Sequence, residues 1–347
     1  MSDDSDSSSD TTGSAASADT TGVPATTEAV ASDTTATAGS VDSTTEAAAS
    51  DTTPTTEAVA DFRTVEHELG TSEIPTNPER VVVLDRRGTL PFLLEMGVEP
   101  VGALEAGWLF GGPFHPLVSE RAAALGVEPI DGSDGPNLEQ IAALERDLII
   151  GNVRDMFGTE DLLAGIAPTV GLQWDFAKAV NNAINIGAML GLEDEVQVLV
   201  DDFQTALDDA TSNTDDPGTV SIIGLFGPDD IRIYRSLNLF GQLTEELGGQ
   251  VVPTEDVLPI NPGDGEVNNT SLEEISLASG DRITSFVNVS PESIEGYTEA
   301  EQQPLIQALP AFQNDLVLHA DPQLAFGAAG STGVQEILNQ LVEFYNS

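Results

Sequence analysis

The chain has 347 residues, with 59 acidic and 11 basic side chains and no cysteine. The missing cysteine excludes a disulfide scaffold, a thiolate zinc site and a cysteine nucleophile. A formal charge of −48 argues against nucleic acid as a partner, because phosphate contacts need a basic surface, and there is no apolar run long enough to span a membrane.

Residues 1–60 carry eleven acidic side chains and no basic one, which leaves −37 on the remainder. A block repeats there, TTEAVASDTT at 26–35, TTEAAASDTT at 44–53 and TTEAVAD at 55–61. Ser, Thr, Asp and Ala dominate, so the segment cannot bury enough surface to offset its chain entropy and reads as a disordered tether over 1–61. It has neither the basic start nor the apolar centre of a signal peptide. Such tethers join a secreted domain to an anchor. A lipidated cysteine upstream would fit, but the sequence contains no cysteine. Only one basic residue is lysine, Lys178. The acidity suits a protein in salty surroundings, where self-repulsion is screened, and is equally compatible with an ordinary acidic surface.

Order is expected from Phe62. Val81–Asp85 is a short apolar run with β-branched residues, the pattern of a buried parallel strand. Arg86-Arg87-Gly88 is a polar turn, Thr89 an N-cap candidate and Pro91 a first-turn residue. The helix through Phe92, Leu93, Leu94 and Met96 stops at Gly97, and Val98–Ala103 returns as a strand. The ending recurs in EMGVEPVG (95–102) and ALGVEPIDG (124–132), which indicates an α/β lobe with parallel strands. A third unit has a helix from Asn137 through Leu144 and a strand at Leu148–Gly151, and Val170–Leu172 closes the lobe. A helix over 175–190 ends at Gly191. From Glu193 the spacing of Val196, Leu199, Val200, Phe203, Leu207 and Ala210 predicts a helix of about five turns, ended by Thr214-Asp215-Asp216-Pro217-Gly218. A second α/β lobe follows, with strands at 219–225, 231–234, 282–288 and 315–319 and helices at 238–247, 271–278 and 332–345.

Catalytic patterns are missing. The sequence has no P-loop, no G-x-G-x-x-G after the first strand and no G-x-S-x-G elbow. Gly107, Gly111 and Gly112 read as a flexible loop. The histidines His67, His115 and His319 are isolated; a metal site joining His115 and His319 across the lobes is the alternative to plain polar roles. Arginine is more informative. Arg86, Arg87 and Arg154 follow strands of the first lobe, and Arg232 and Arg235 flank a strand of the second. Ligands of open α/β sheets bind beyond the carboxyl ends of strands, so half of the ten arginines face the expected ligand site. Trp108, Phe110, Phe114, Phe157, Tyr234 and Phe286 are the aromatic candidates beside them. The competing reading pairs these arginines with nearby carboxylates.

Six stretches, IPTNPERVVVLD (74–85), LLEMGVEPVGALEAG (93–107), NLEQIAALERDLIIG (137–151), IRIYRSLNLFGQLTEELGG (231–249), SLEEISLASGDRIT (271–284) and PLIQALPAFQND (304–315), resemble the substrate-binding proteins of iron–siderophore ABC importers. These are helix-backboned relatives of the vitamin B12-binding protein. Arg146 stands where that family usually has proline. The resemblance implies two Rossmann-like α/β lobes with mostly parallel sheets, at 62–192 and 214–347. One long α-helix at 193–213 joins them, and the ligand cleft lies between the lobes. It further implies a non-enzymatic, extracytoplasmic monomer with no intrinsic cofactor, which carries a ferric siderophore to permease subunits and meets the membrane only through a lipid anchor. Its ligand-binding candidates are Arg86, Arg87, Trp108, Arg154, Arg232, Tyr234, Arg235 and Phe286. Its permease-docking candidates are Glu139 in Asn-Leu-Glu-Gln and Glu273 in Ser-Leu-Glu-Glu. Zinc, manganese, haem or cobalamin binding on the same architecture is the alternative.

Overall fold

The computed structural model describes residues 61–347 except Phe176, 236–237, Glu255, 259–266, 288–290 and 326–329. The expected tether therefore lies outside the described residues. Ala58–Ser347 forms one compact unit.

In chain order the first half contains β1 (Phe62–His67), β2 (Gly70–Pro75), β3 (Val81–Leu84), α1 (Thr89–Glu95), β4 (Gly102–Leu104), α2 (Gly107–Phe110) and α3 (Pro116–Leu125). It continues with β5 (Glu128–Ile130), α4 (Leu138–Ala143), β6 (Leu148–Asn152), α5 (Val153–Met156), α6 (Glu160–Ala164), β7 (Thr169–Leu172) and α7 (Ala179–Leu190). The second half contains α8 (Glu193–Ser212), β8 (Thr219–Gly227), β9 (Asp230–Tyr234), α9 (Leu239–Glu246), β10 (Gln250–Val251) and β11 (Val267–Thr270). A 3₁₀ helix at Leu272–Leu277 precedes β12 (Arg282–Phe286), α10 (Pro291–Glu301), α11 (Pro304–Gln307), α12 (Pro310–Gln313), β13 (Val317–His319), α13 (Pro322–Ala325) and α14 (Gly330–Tyr345).

The first sheet is parallel throughout, in the order β5-β4-β3-β6-β7. Its connections leave in opposite directions from β3 and β6, which makes the crevice above these two strands the topological switch point. The second sheet has the order β11-β9-β8-β12-β13, with β10 also on β8. β8, β12 and β13 are parallel, whereas β9 and β11 are antiparallel additions. The fold is thus α/β with two mostly parallel sheets on either side of α8.

Residues alternate between strand faces with period two, and the buried clusters follow that rule. Val82 and Leu84 of β3 join one cluster with Ile149. Val81 and Val83 join another that also holds Val220 and Ile222 of β8 and Val334, Ile337, Leu338 and Leu341 of α14. One apolar core therefore runs through both sheets. Leu199, Phe203 and Leu207 of α8 pack against it, along a helix about 30 Å long. Glu193, Asp194 and Glu195 in its first turn favour the positive end of the helix dipole.

Three expectations change in the structure. Residues 62–75 form the β1–β2 hairpin, which the sequence pattern did not reveal. Gly107–Phe110 is a short helix closed by Gly111 rather than a flexible loop. Thr89 is the first helical residue and not the cap. Asp85, 2% exposed, does the capping from further upstream, its carboxylate accepting from the backbone N–H groups of Arg87, Gly88 and Thr89 at 3.2, 3.0 and 2.7 Å.

Arginine supplies several other helix and loop ends. Arg63 donates to the carbonyls of Ala188 and Met189 at the end of α7, and Arg80 to those of Leu144 and Glu145. Arg146 donates to Ile141, Ala142 and Ile166, and Arg282 to Pro217 and Tyr345. Carbonyls orphaned at helix ends are thereby satisfied.

Candidate functional site

The loops leaving β3 and β6 flank the switch point, and the charged residues gather there. Buried Asp85 fixes the first loop. Its carboxyl is pushed above the usual range by burial, with a smaller contribution from the charge of Asp155. Next to it, Arg86 Nη1 donates to Asp155 Oδ1 at 2.6 Å, and Arg86 Nη2 to the carbonyl of Gly132 at 2.6 Å. The backbone N–H of Arg86 donates to the second Asp155 oxygen at 3.2 Å. The Arg86–Asp155 pair thus crosses the switch point and also touches the loop after β5. Both side chains are mostly shielded, at 15% and 16% exposure.

Arg87 lines a small cavity with Pro113, Phe114 and His115. Arg154, on α5, is exposed and its side chain makes no hydrogen bond or ion pair among the described residues. Two aromatic rings at the same ends of strands are open to solvent, Trp108 at 58% and Phe157 at 85%. Phe110 and Phe114, expected beside them, are buried in the core instead, and Phe110 packs edge-on against His115 at 4.7 Å.

On the second sheet Arg232 is held by Asp230, with Nε and Nη2 each 2.8 Å from one carboxylate oxygen. Its Cζ lies 4.2 Å from the centroid of Phe226. Donation to the Asp230 carboxylate raises the guanidinium pKa further. Residues i and i+2 of a strand share a face, so Tyr234 lies on the same side. Tyr234 meets Phe286 at 4.7 Å, and Phe286 stacks on Phe240 at 6.1 Å. Tyr234 and Phe286 are buried, so they form the layer beneath the surface rather than open rings. Gly224 permits this packing: a Cβ there would stand 2.7 Å from the Phe226 ring and 3.0 Å from that of Tyr234. Arg235 is also buried, and its Nη1 donates to the carbonyl of Leu258 at 2.6 Å.

The two histidines considered for metal have different partners. His115 Nδ1 accepts from Leu117 N–H at the start of α3, and Nε2 donates to the carbonyl of Gln323 at 2.9 Å. Those two bonds select the neutral Nε2–H tautomer, and burial lowers the pKa. His319 is exposed and lies 2.6 Å from the Tyr297 hydroxyl and 3.5 Å from Glu301. Among the described residues no group of three or more acidic or histidine side chains could hold a metal ion.

Glu139 and Glu273 occupy matching local positions. Each is the second residue of a short helix and each is exposed. Asn137 caps the first, accepting from Glu139 and Gln140 N–H, both at 3.1 Å. Ser271 and Glu274 form a capping box on the second. The helix expected over 271–278 is of the 3₁₀ kind, at Leu272–Leu277. Glu273 also rims a groove of about 340 Å³ lined by Leu305, Ala308, Leu309 and Pro310.

Sequence reasoning missed Asp155, Asp230 and Phe226. Asp230 was accessible from the strand period, since it stands two residues before Arg232. Asp155 was not, because its partner Arg86 is far away in sequence and only the parallel pairing of β3 with β6 brings them together.

A family model described as periplasmic binding protein matches residues 118–324. Among curated proteins, the chain is 34% identical over 199 residues to the probable siderophore-binding lipoprotein YfiY of Bacillus subtilis, a match covering 54% of this chain and 56% of that protein. The match therefore spans little more than half of that relative. It is 25% identical over 286 residues to the putative ABC transporter substrate-binding lipoprotein YhfQ of the same organism, covering 80% and 86%. Among solved structures, Staphylococcus aureus SirA complexed with staphyloferrin B superposes with a TM-score of 0.69 at 24% identity, covering 82% of this chain and 98% of that one. FeuA of Bacillus subtilis complexed with ferri-bacillibactin superposes at 0.66 and 19%, covering 82% and 98%. At these identities the structural likeness is one of fold.

Proposed function

The chain belongs to the periplasmic binding protein family, and on that premise we propose that it is the substrate-binding component of an ABC importer that captures a ferric siderophore between its two sheets. It is a binding protein rather than an enzyme, and the ferric chelate is its cargo rather than a resident cofactor. The observation that carries the reading is that Arg86, Arg87 and Arg154 and the open rings of Trp108 and Phe157 all follow the carboxyl ends of the adjacent strands β4, β3 and β6. Guanidinium groups bind anionic oxygens through a planar fork, and aromatic rings supply flat apolar walls. Arg232 above Phe226 contributes from the second sheet.

The names of the relatives support the same cargo. They include an iron(3+)-hydroxamate-binding protein and an Fe(3+)-citrate-binding protein. The protein acts as a monomer on the outer side of the membrane, where Glu139 and Glu273 meet cationic residues of the permease. Among the described residues no helix is long and apolar enough to cross a membrane.

A thermal-shift screen tests the reading. Ligand binding to the folded state raises the melting temperature by mass action, about 2.7 kcal/mol at a hundredfold excess over Kd. A ferric siderophore should shift the melt and the complex should keep the chelate's colour through gel filtration. A shift with zinc or manganese and none with any ferric chelate would overturn the assignment.

A further inference from the structure

We propose that Asp155 and Asp230 are specificity-determining residues: each occupies the edge of a cleft arginine, so that the site takes ferric chelates of little or no negative charge and disfavours trianionic ones. The proposal rests on the reading of the protein as a siderophore carrier and narrows its substrate class.

Positive charge is unusually easy to account for in this chain. All ten arginines and the single lysine lie among the described residues. Arg63, Arg80, Arg146 and Arg282 are committed to backbone carbonyls away from the switch point. Arg121 on α3 and Lys178 before α7 are exposed, and Arg235 donates to the carbonyl of Leu258. Of the other four arginines, all near the strand ends, Arg86 and Arg232 already hold a carboxylate. Asp155 takes Nη1 of Arg86 at 2.6 Å and, through its other oxygen, the backbone N–H of the same residue. Gly132 takes Nη2. Asp230 takes Nε and Nη2 of Arg232 in a two-point contact, while Phe226 covers one face of that guanidinium.

Asp230 fills one of the two bidentate edges of the guanidinium, the Nε/Nη2 edge, which a ligand carboxylate or catecholate would otherwise use. Asp230 is tethered two residues from Arg232, so it returns to that edge whenever it is displaced. Asp155 is held from two directions by Arg86 and is only 16% exposed. A polyanionic chelate would have to displace these carboxylates or sit beside them, and like charges brought together across a binding surface are strongly disfavoured. A chelate with few charges meets no such competition. It can pack on Trp108 and Phe157 and place a single anionic oxygen on Arg154.

The test compares two probes on the same proteins at one salt concentration: a neutral ferric tris-hydroxamate and a trianionic ferric tris-catecholate. Both are titrated into wild type, Asp155→Asn and Asp230→Asn by calorimetry. Wild type should bind the neutral chelate at least about tenfold more tightly. Each substitution should move the ratio of the two constants about tenfold toward the trianion. Asp155→Asn also disturbs the loop after β3; Asp230, whose side chain is 47% exposed, tolerates the change to Asn and keeps the test valid if the first variant folds poorly. A wild-type preference for the trianion, or a ratio unchanged in Asp230→Asn, overturns the proposal and leaves the carrier reading standing. Failure of wild type to bind either chelate, or any other ferric siderophore, overturns both.

Discussion

Removal of one carboxylate, that of Glu95, should loosen the contact between the two halves of the molecule. Glu95 ends α1, beside the first sheet, and reaches the start of α14. Its oxygens accept from Ser331 N–H at 2.8 Å and from the N–H and hydroxyl of Thr332, both at 3.2 Å. Gly330 makes room for it. Its φ of +71° suits glycine, and a Cβ there would stand 2.5 Å from the Glu95 carboxylate. The carboxylate thus acts as a cap supplied from across the fold, satisfying donors that α14 cannot satisfy itself. Loss of a cap costs about 0.5–2 kcal/mol, and the favourable charge at the helix start adds a few tenths more. Glu95→Ala should therefore cost about 1.5 kcal/mol, which for a body of this size lowers the melting temperature by about 3 °C. Glu95→Gln keeps one accepting oxygen and should lose about half as much. Differential scanning calorimetry of the three proteins decides the matter. A Glu95→Ala melt within about 1 °C of wild type, or equal losses for alanine and glutamine, would refute the capping role.

Three further outcomes are expected. Gly224→Ala drives a methyl group into the rings of Phe226 and Tyr234 and should cost about 1–3 kcal/mol; it should also weaken ligand binding by shifting the ring beneath Arg232, and an unchanged melt with unchanged affinity would count against that packing. The His115 pKa is lowered in the folded protein, so its contribution to stability is complete above about pH 6.5 and is lost as pH falls through the lower folded value; melts from pH 7 to 5 should show a shallower decline in His115→Asn, with the rest of the slope partly due to His67, whose pKa burial also lowers. Glu139→Arg or Glu273→Arg should reduce permease-dependent uptake about tenfold or more while ligand affinity holds, and a loss of affinity instead would move these residues into the cleft or the fold.

The sequence was most legible where one signal dominated. Val81–Leu84 is buried on both faces and dominated by β-branched valines, and the apolar stripe from Val196 to Ala210 has one helical reading. The β1–β2 hairpin was hidden because only Val65, Ile74 and Pro75 of its residues are buried, too few to establish an alternation. Arginine positions near the strand ends were readable because cations are scarce in this chain. Of their partners, Asp230 was within reach of the strand period, but Asp155 was not, since carboxylates are everywhere and only the sheet register selects it for Arg86. Tyr234 and Phe286 look like ligand-facing aromatics in the sequence, but both are strand residues on a core face, and burial of large rings prevails there. The substitution of Arg146 for proline was visible as a departure. Its use became clear only when its guanidinium was found closing the end of α4.

The continuity of the core bears on how such a cleft could select its cargo. α14 is fastened at both ends, by Glu95 at its start and by the 2.7 Å bond between Thr244 and Tyr345 hydroxyls near its finish. The Tyr345 hydroxyl is well buried, which pushes its pKa up to about 12 and keeps it neutral. His115 joins a loop of the first sheet to α13 of the second through Gln323. Large rotation of one sheet against the other would have to break these bonds and open the apolar cluster shared by β3, β8 and α14. Protein interiors are packed as densely as organic crystals and resist such strain. A cleft on this frame is largely formed before the ligand arrives, which limits the ordering cost of binding. The same rigidity stops the site from repacking around chelates of different shape or charge. Discrimination must then come from groups fixed in its walls, and the paired carboxylates on Arg86 and Arg232 are placed to supply it.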